Sequence, residues 1–551
     1  MVLSAILAPL SALAVPAGAA AALPPSPSFA DGHGLHVDHV ARIDARQVYV
    51  EVSTPALRGP AEVRILFPAD YGQHPGWRYP VLYLMHGAFG GPGDWLTQGD
   101  AEATTAGLPM IVVMPAIALG NNGGGSCADW VNAGAAGPQN WETFHIAQLI
   151  PWIDQNLPTI ANRSGRAIAG LSEGGLCATT YAARHPDVFA TALSFSGTAD
   201  IAYDRQNQAV AAALVNMAAT TNGGTSNSVY GDPATDEINW ENHDPASLAT
   251  NLRATNVLMY TGDGLAGPYD PPLAADAIES DVAYDDLLFH NRLDSLNIPN
   301  YMDNYGPGTH RWPYWARDLR WSIGTIMADF EHPPPTPPLF TYTIADENYS
   351  VYGWQVSMHR TAREFSTLKD ADAAGFTLMG SGSGTVITPP VYTPNRGYRI
   401  VLHGDKTNET LTANGGGDGR LQLEVPLGPA NPYQEDSENG TVAGTHVYST
   451  TVEIVPVPGP ASSSVTPSSK PKTCTNPPYV VLPQRVAKGA TIVVLINGRR
   501  VHAWRTSRGV RVSLAGVPHA TYRLLLTVRV GKHTHRTTYV LSNCRLRVRR
   551  R

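Results

Sequence analysis

Gly170-Leu171-Ser172-Glu173-Gly174 sets a serine between two glycines at the spacing of a nucleophile elbow. In a chain of 551 residues with 52 glycines such a match arises by chance roughly a few tenths of a time, so its surroundings must decide. Arg166-Ala167-Ile168-Ala169 before it is strand-like, and Leu176 to Ala183 after it is helix-like. Strand, sharp turn and helix together would lift the Ser172 hydroxyl to the sheet's edge and aim a helix N-terminus at a developing oxyanion. A second oxyanion donor is expected from the glycine-rich run His86-Gly87-Ala88-Phe89-Gly90-Gly91, which follows an apolar strand. The peptide N–H groups of Ala88 and Glu173 form the natural pair.

Acyl chemistry also needs a base and an acid, in the order Ser, acid, His. Downstream histidines are His185, His243, His290, His310 and His332. His310 is favoured, because Tyr305-Gly306-Pro307-Gly308-Thr309-His310 reads as a loop opening onto a helix. His185 precedes a proline and reads as a helix cap, and His290 lies inside a predicted helix. For the acid, Asp263 sits just past a strand in Thr261-Gly262-Asp263-Gly264, and Glu279 begins an amphipathic helix. Spacing alone does not choose between them.

The elements that must position these groups alternate. Strands are predicted at 47–53, 61–67, 80–85, 110–114, 167–169, 191–196 and 257–261, with helices at 143–155, 175–184, 275–293 and 314–330. Continuous apolar strand runs imply a sheet buried on both faces, so residues 30–332 are expected to form an α/β domain with a mostly parallel sheet. Residues 333–338, Pro-Pro-Pro-Thr-Pro-Pro, read as a stiff linker. Residues 339–457 turn to short alternating strands, expected as a β-sandwich. A Pro/Ser/Thr linker at 458–472 precedes a last domain, 473–551, with strands at 491–496 and 500–505 around Asn497-Gly498, expected as a small Ig-like β-domain.

Residues 1–22 are apolar and end in small residues, as in a secretory signal peptide, although no Lys or Arg precedes the apolar stretch. No later run offers about 20 uninterrupted apolar residues, so no transmembrane span is expected. The four cysteines have no metal-ligand spacing and no metal or other cofactor is expected. Cys474 and Cys544 bracket the last domain and are the expected disulfide, while Cys177 reads as a small buried side chain. Residues 471–551 hold 17 Lys plus Arg and no Asp or Glu, so the rest of the chain carries −24 against a net −7 overall. In an exported protein such an end is expected to meet an anionic cell-wall polymer or lipid surface, or to be simply a soluble basic module. Nucleic acid is not an expected partner, since no aromatic residues interleave the charges.

Asp129-Trp130-Val131, Asn140-Trp141-Glu142-Thr143-Phe144, Gly170-Leu171-Ser172, Trp240-Glu241-Asn242-His243-Asp244-Pro245 and Gly308-Thr309-His310-Arg311-Trp312-Pro313-Tyr314-Trp315 occur in that order. Together they resemble the mycolyltransferase (antigen 85) branch of the esterase D-like α/β-hydrolases, over about half the chain. The resemblance implies Ser172 as nucleophile and His310 as base, and it places the family's glutamate on Glu279 rather than Asp263. Trehalose-using members carry Asp-Gly-Leu-Arg at the oxyanion loop, where this chain has His86-Gly87-Ala88-Phe89. Both charges are gone, which points away from trehalose and toward general ester hydrolysis. Three functions follow as expectations: a secreted serine esterase acting on an acyl ester or lipid, an acyltransferase to a sugar or glycolipid hydroxyl, or a surface-binding protein without turnover.

Overall fold

The unbroken apolar runs take the centre of a sheet. In the computed structural model the described residues are 27–457, except 207 and 434–444, together with strands and short connections between 479 and 547. Residues 1–22, read above as a signal peptide, residues 458–472, read as a linker, and Cys474 and Cys544 with their expected bond lie outside them. Nine strands, β1 (His36–Arg42), β2 (Gln47–Ser53), β3 (Ala61–Leu66), β4 (Val81–Met85), β5 (Ile111–Pro115), β6 (Arg166–Leu171), β7 (Thr191–Phe195), β8 (Asn256–Thr261) and β9 (Asn300–Asn304), form one sheet in the order β1-β2-β3-β5-β4-β6-β7-β8-β9. From β5 to β9 every pairing is parallel; β1, β2 and β3 add an antiparallel edge. Every residue of β4, β5, β6 and β7 is buried. Alternate β4 side chains feed two cores: Val81, Tyr83 and Met85 on one face, Leu82 and Leu84 on the other.

Five helices matter for the site: α1 (Ile150–Asn156, continuing a π-wound Thr143–Leu149), α2 (Glu173–Arg184), α3 (Gln208–Thr221), α4 (Ala277–Ser295) and α5 (Trp312–Glu331). Helices cover both faces: α2 packs Leu176, Cys177 and Tyr181 into one core, α5 packs Trp315, Leu319 and Ile326 into the other. α5 starts with Pro313 in its first turn, where a missing N–H costs no hydrogen bond.

Two antiparallel sheets follow. Strands Phe340–Ile344, Ser366–Asp372, Gly375–Gly380, Tyr448–Pro456, Gly397–Gly404 and Asn408–Asn414 pair in that order, and Asn348–Val351, Trp354–His359, Gly382–Ile387 and Gln422–Gly428 form the second sheet. Both contribute to one apolar core around Trp354, Phe376 and Val425. This region is tied to the first: Arg184 bridges Glu142 and Asp346 at 2.8 Å each, and Asn242 accepts the Ala345 N–H at 2.7 Å. Within the Trp240–Pro245 segment, Asn242 serves this junction, while the His243 carbonyl accepts from the Thr180 hydroxyl at 3.0 Å and Asp244 accepts the Ile201 N–H at 2.8 Å. The strands described between Tyr479 and Arg547 belong to a separate unit and pair antiparallel.

The strand expected at 500–505 is instead two, Arg499–Val501 and Ala503–Thr506. The chain passes from one sheet to another at His502, since the first pairs with Thr491–Ile496 and the second with Gly509–Ser513. Among the described residues no helix is long and apolar enough to cross a membrane.

Candidate active site

Ser172 stands at the end of β6 with φ 52° and ψ −125°, the strained turn into α2. That turn requires its glycines. A Cβ on Gly170 would lie 2.1 Å from the Gly174 carbonyl oxygen, and one on Gly174 would lie 2.4 Å from that of His86. Held there, the Ser172 hydroxyl donates to His310 Nε2 at 2.9 Å, and His310 Nδ1 donates to Glu279 Oε2 at 2.8 Å. Glu279 is fully buried, and its other oxygen accepts from the Ser196 hydroxyl at 2.8 Å and the Gly262 N–H at 2.6 Å.

One residue the sequence reading missed organises this arrangement. Asp276 Oδ1 caps α4 by accepting from the Ile278 and Glu279 N–H groups, while Oδ2 accepts the His310 N–H at 3.1 Å. A single carboxylate thus fixes the start of the Glu279 helix and the His310 loop together. Its signal was present as an acidic residue just before a helical run, but its second bond depends on tertiary folding. Asp263, the other candidate acid, uses Oδ1 to accept the Leu265 N–H at 2.8 Å within its own turn. It is the Glu279 carboxylate that meets the imidazole.

Ala88 and Glu173 line the same cavity as Ser172 and His310, a space of about 170 Å³ walled by Leu176, Val215, Met217 and Val282. Among the described residues neither the Ala88 nor the Glu173 N–H takes part in a backbone hydrogen bond. The Ala88 loop is held from behind by His86, which is fully buried. Its Nε2 accepts the Ile117 N–H at 3.1 Å and its Nδ1 donates to the Gly87 carbonyl at 2.8 Å. Burial pushes its pKa down to about 4, so the ring is a neutral strut. Among the other histidines, His185 pairs with Glu142 at 2.6 Å and His290 with Asn300 at 2.6 Å.

Cys177 is buried as expected, but it is also bonded: it forms a disulfide with Cys127 across 50 residues. Ser126 and Cys127 both take positive φ, 50° and 48°, which turns their loop onto α2. The Ser126 N–H then donates to Glu173 Oε1 at 2.5 Å. Burial raises the Glu173 carboxyl to about 7, against the pull of that N–H. A carboxyl raised from 4.5 to about 7 in the fold binds its proton more tightly folded than unfolded, so stability falls as pH rises through that window. Glu173→Gln should abolish this loss, gaining about 3 kcal/mol relative to wild type between pH 4.5 and pH 8. Denaturant unfolding of both proteins across that range checks it; parallel pH profiles would contradict it.

A mostly parallel sheet with a serine on a strained strand-to-helix turn defines an α/β-hydrolase-like domain. A family model described as "Putative esterase" matches residues 54–324. Esterase Rv1288 of Mycobacterium tuberculosis is 36% identical over 286 residues, covering 51% of this chain and 59% of that protein, so the chain spans somewhat over half of that relative's length. Diacylglycerol acyltransferase/mycolyltransferase Ag85A of Mycobacterium leprae is 30% identical over 289 residues, covering 49% of this chain and 79% of the relative. The solved structure of MPT51 from Mycobacterium tuberculosis is 26% identical, covers 51% of this chain and 98% of that chain, and superposes with a TM-score of 0.41. The chain belongs to the esterase family that includes the antigen 85 mycolyltransferases.

Proposed function

We propose that this protein is a secreted serine esterase that cleaves acyl esters through an acyl-enzyme on Ser172. The observation that carries the reading is the run of hydrogen bonds Ser172–His310–Glu279, at 2.9 and 2.8 Å, at the wall of an apolar cavity. Ser172 Oγ attacks the ester carbonyl while His310 Nε2 takes its proton, and Glu279 stabilises the resulting imidazolium. The Ala88 and Glu173 N–H groups hold the tetrahedral oxyanion. Collapse expels the alkoxide, which receives the proton from His310. Water, activated by the same imidazole, then releases the acid. None of these steps calls for a metal or other cofactor.

Transfer of the acyl group to a sugar or glycolipid hydroxyl uses the same acyl-enzyme and is the second reading, favoured by the 30% identity to a mycolyltransferase. Against it stand His86 and Phe89 in place of the charged residues of the trehalose users. A reading without turnover has no observation in its favour once the three side chains stand in hydrogen-bonding sequence. Export belongs to the proposal on the apolar segment 1–22 with its small-residue end, and retention on an anionic wall polymer through the basic last domain on the charge distribution alone.

Purified full-length protein assayed on p-nitrophenyl butyrate, with and without trehalose or a glycolipid acceptor, tests the reading. Hydrolysis with burst kinetics, unchanged by acceptor, is the expected result. Acyl product appearing on the acceptor at the expense of free acid would establish transferase instead.

A further inference from the structure

The helix beside the cavity has an unusual composition for a surface element. α3, Gln-Ala-Val-Ala-Ala-Ala-Leu-Val-Asn-Met-Ala-Ala-Thr-Thr, contains no charged residue in 14 positions. It buries Ala211, Val215, Ala218 and Ala219 against the hydrolase core, yet its opposite side faces solvent. A surface helix ordinarily shows charged or polar side chains there. Here the exposed side chains include Ala209, Val210, Ala213 and Met217, with Val210 at 44% and Met217 at 48%. Even the two terminal threonines spend their hydroxyls on the helix backbone: Thr220 donates to the Asn216 carbonyl at 2.8 Å and Thr221 to the Met217 carbonyl at 2.9 Å.

This apolar side is continuous with the cavity. Met217 both lines the space in front of Ser172 and stands half exposed, so it belongs to pocket and surface at once. Two other residues lining the same cavity are similarly exposed, Phe89 at 48% on the oxyanion loop and Ile278 at 45% on α4. Large apolar groups rim the mouth from three separate elements, which is the arrangement of an interaction site and not of scattered surface hydrophobes.

We propose that α3, with Phe89 and Ile278, docks the enzyme on an uncharged lipid–water interface, so that a neutral lipid ester passes from that surface into the acyl cavity. This rests on the esterase reading and deepens it by naming the substrate class. Charge selects the occupant. The chain before residue 471 carries −24, which repels an anionic bilayer, and α3 has no cation to engage phosphate headgroups. An apolar helix side with no charge gains by partial insertion at a neutral or zwitterionic interface, where burial of apolar area is the driving term.

The test uses full-length protein and vesicles of phosphatidylcholine alone, which offer no net charge to the basic residues after 470. Wild type should co-float with these vesicles. Val210→Glu and Ala213→Glu, at exposed positions outside the cavity wall, should each lower the bound fraction at least tenfold and slow hydrolysis of emulsified dioleoylglycerol by a similar factor. Both should hydrolyse dissolved p-nitrophenyl butyrate within twofold of wild type, which also shows that they fold. Val210→Leu should bind as wild type does. No binding of wild type to phosphatidylcholine, binding only when phosphatidylglycerol is added, or undiminished binding of the glutamate variants would each overturn the proposal. If wild type floats but never hydrolyses the dissolved ester, the docking surface stands and the esterase reading falls.

Discussion

Ser172→Ala is expected to lower kcat on p-nitrophenyl butyrate by about a millionfold, with KM changed little. The magnitude follows from what is removed. The Ser172 oxygen forms the acyl bond itself, and without it His310 has no proton to accept from the nucleophile and no covalent intermediate to resolve. The cavity, the Ala88 and Glu173 amides and the Glu279–His310 pair all remain, so substrate binding and some oxyanion stabilisation persist; a residue of roughly a thousandfold over water is the expected floor. Alanine also removes no packing contact of consequence and takes the strained turn with only modest added cost, so the fold should survive. Steady-state kinetics on a preparation free of host esterase checks this. Retention of more than about a hundredth of wild-type kcat would place the nucleophile elsewhere.

Glu279→Gln carries the second largest effect, about ten-thousandfold in kcat. The reason lies in which oxygen is already committed. Glu279 Oε1 accepts from the Gly262 N–H and the Ser196 hydroxyl, so a glutamine there must place its carbonyl oxygen on those two donors. Its NH₂ group then faces His310 Nδ1, at the position now held by Oε2 at 2.8 Å. An imidazole facing a donor at Nδ1 takes the tautomer with its proton on Nε2, and that nitrogen can no longer accept the serine proton. Asp263→Asn should change kcat less than twofold, because its carboxylate only caps the turn to Leu265. Measuring the two variants together decides the acid: a large loss at Asp263 with a small one at Glu279 would reverse the assignment.

Much of this arrangement was legible in the sequence because its signals are local. Strands such as Val-Leu-Tyr-Leu-Met and Ile-Val-Val-Met-Pro are apolar at nearly every position, which only a sheet covered on both faces explains. The Ser172 elbow is likewise written within eighteen residues of chain. The edge strands were missed for the converse reason. His-Val-Asp-His-Val-Ala-Arg and Asn-Tyr-Met-Asp-Asn are polar and partly exposed, and they become strands by pairing with β2 and β8. α3 escaped notice because a run of alanines with no charged face gives no helical periodicity to read. The acid could not be chosen from spacing, since Glu279 reaches His310 from a helix that begins after a long loop past β8; family resemblance supplied it. The Cys127–Cys177 bond has no local mark either, since two left-handed residues at 126 and 127 are what turn the loop onto α2.

The proposed chemistry stands or falls on Ser172 being the activated nucleophile. Folded full-length protein treated with a fluorophosphonate probe, then digested and analysed by mass spectrometry, reads it most directly. One adduct per chain on Ser172, lost on prior unfolding and lost in His310→Ala, is the predicted result. An unlabelled Ser172 in folded protein, or an adduct on another serine, would contradict it.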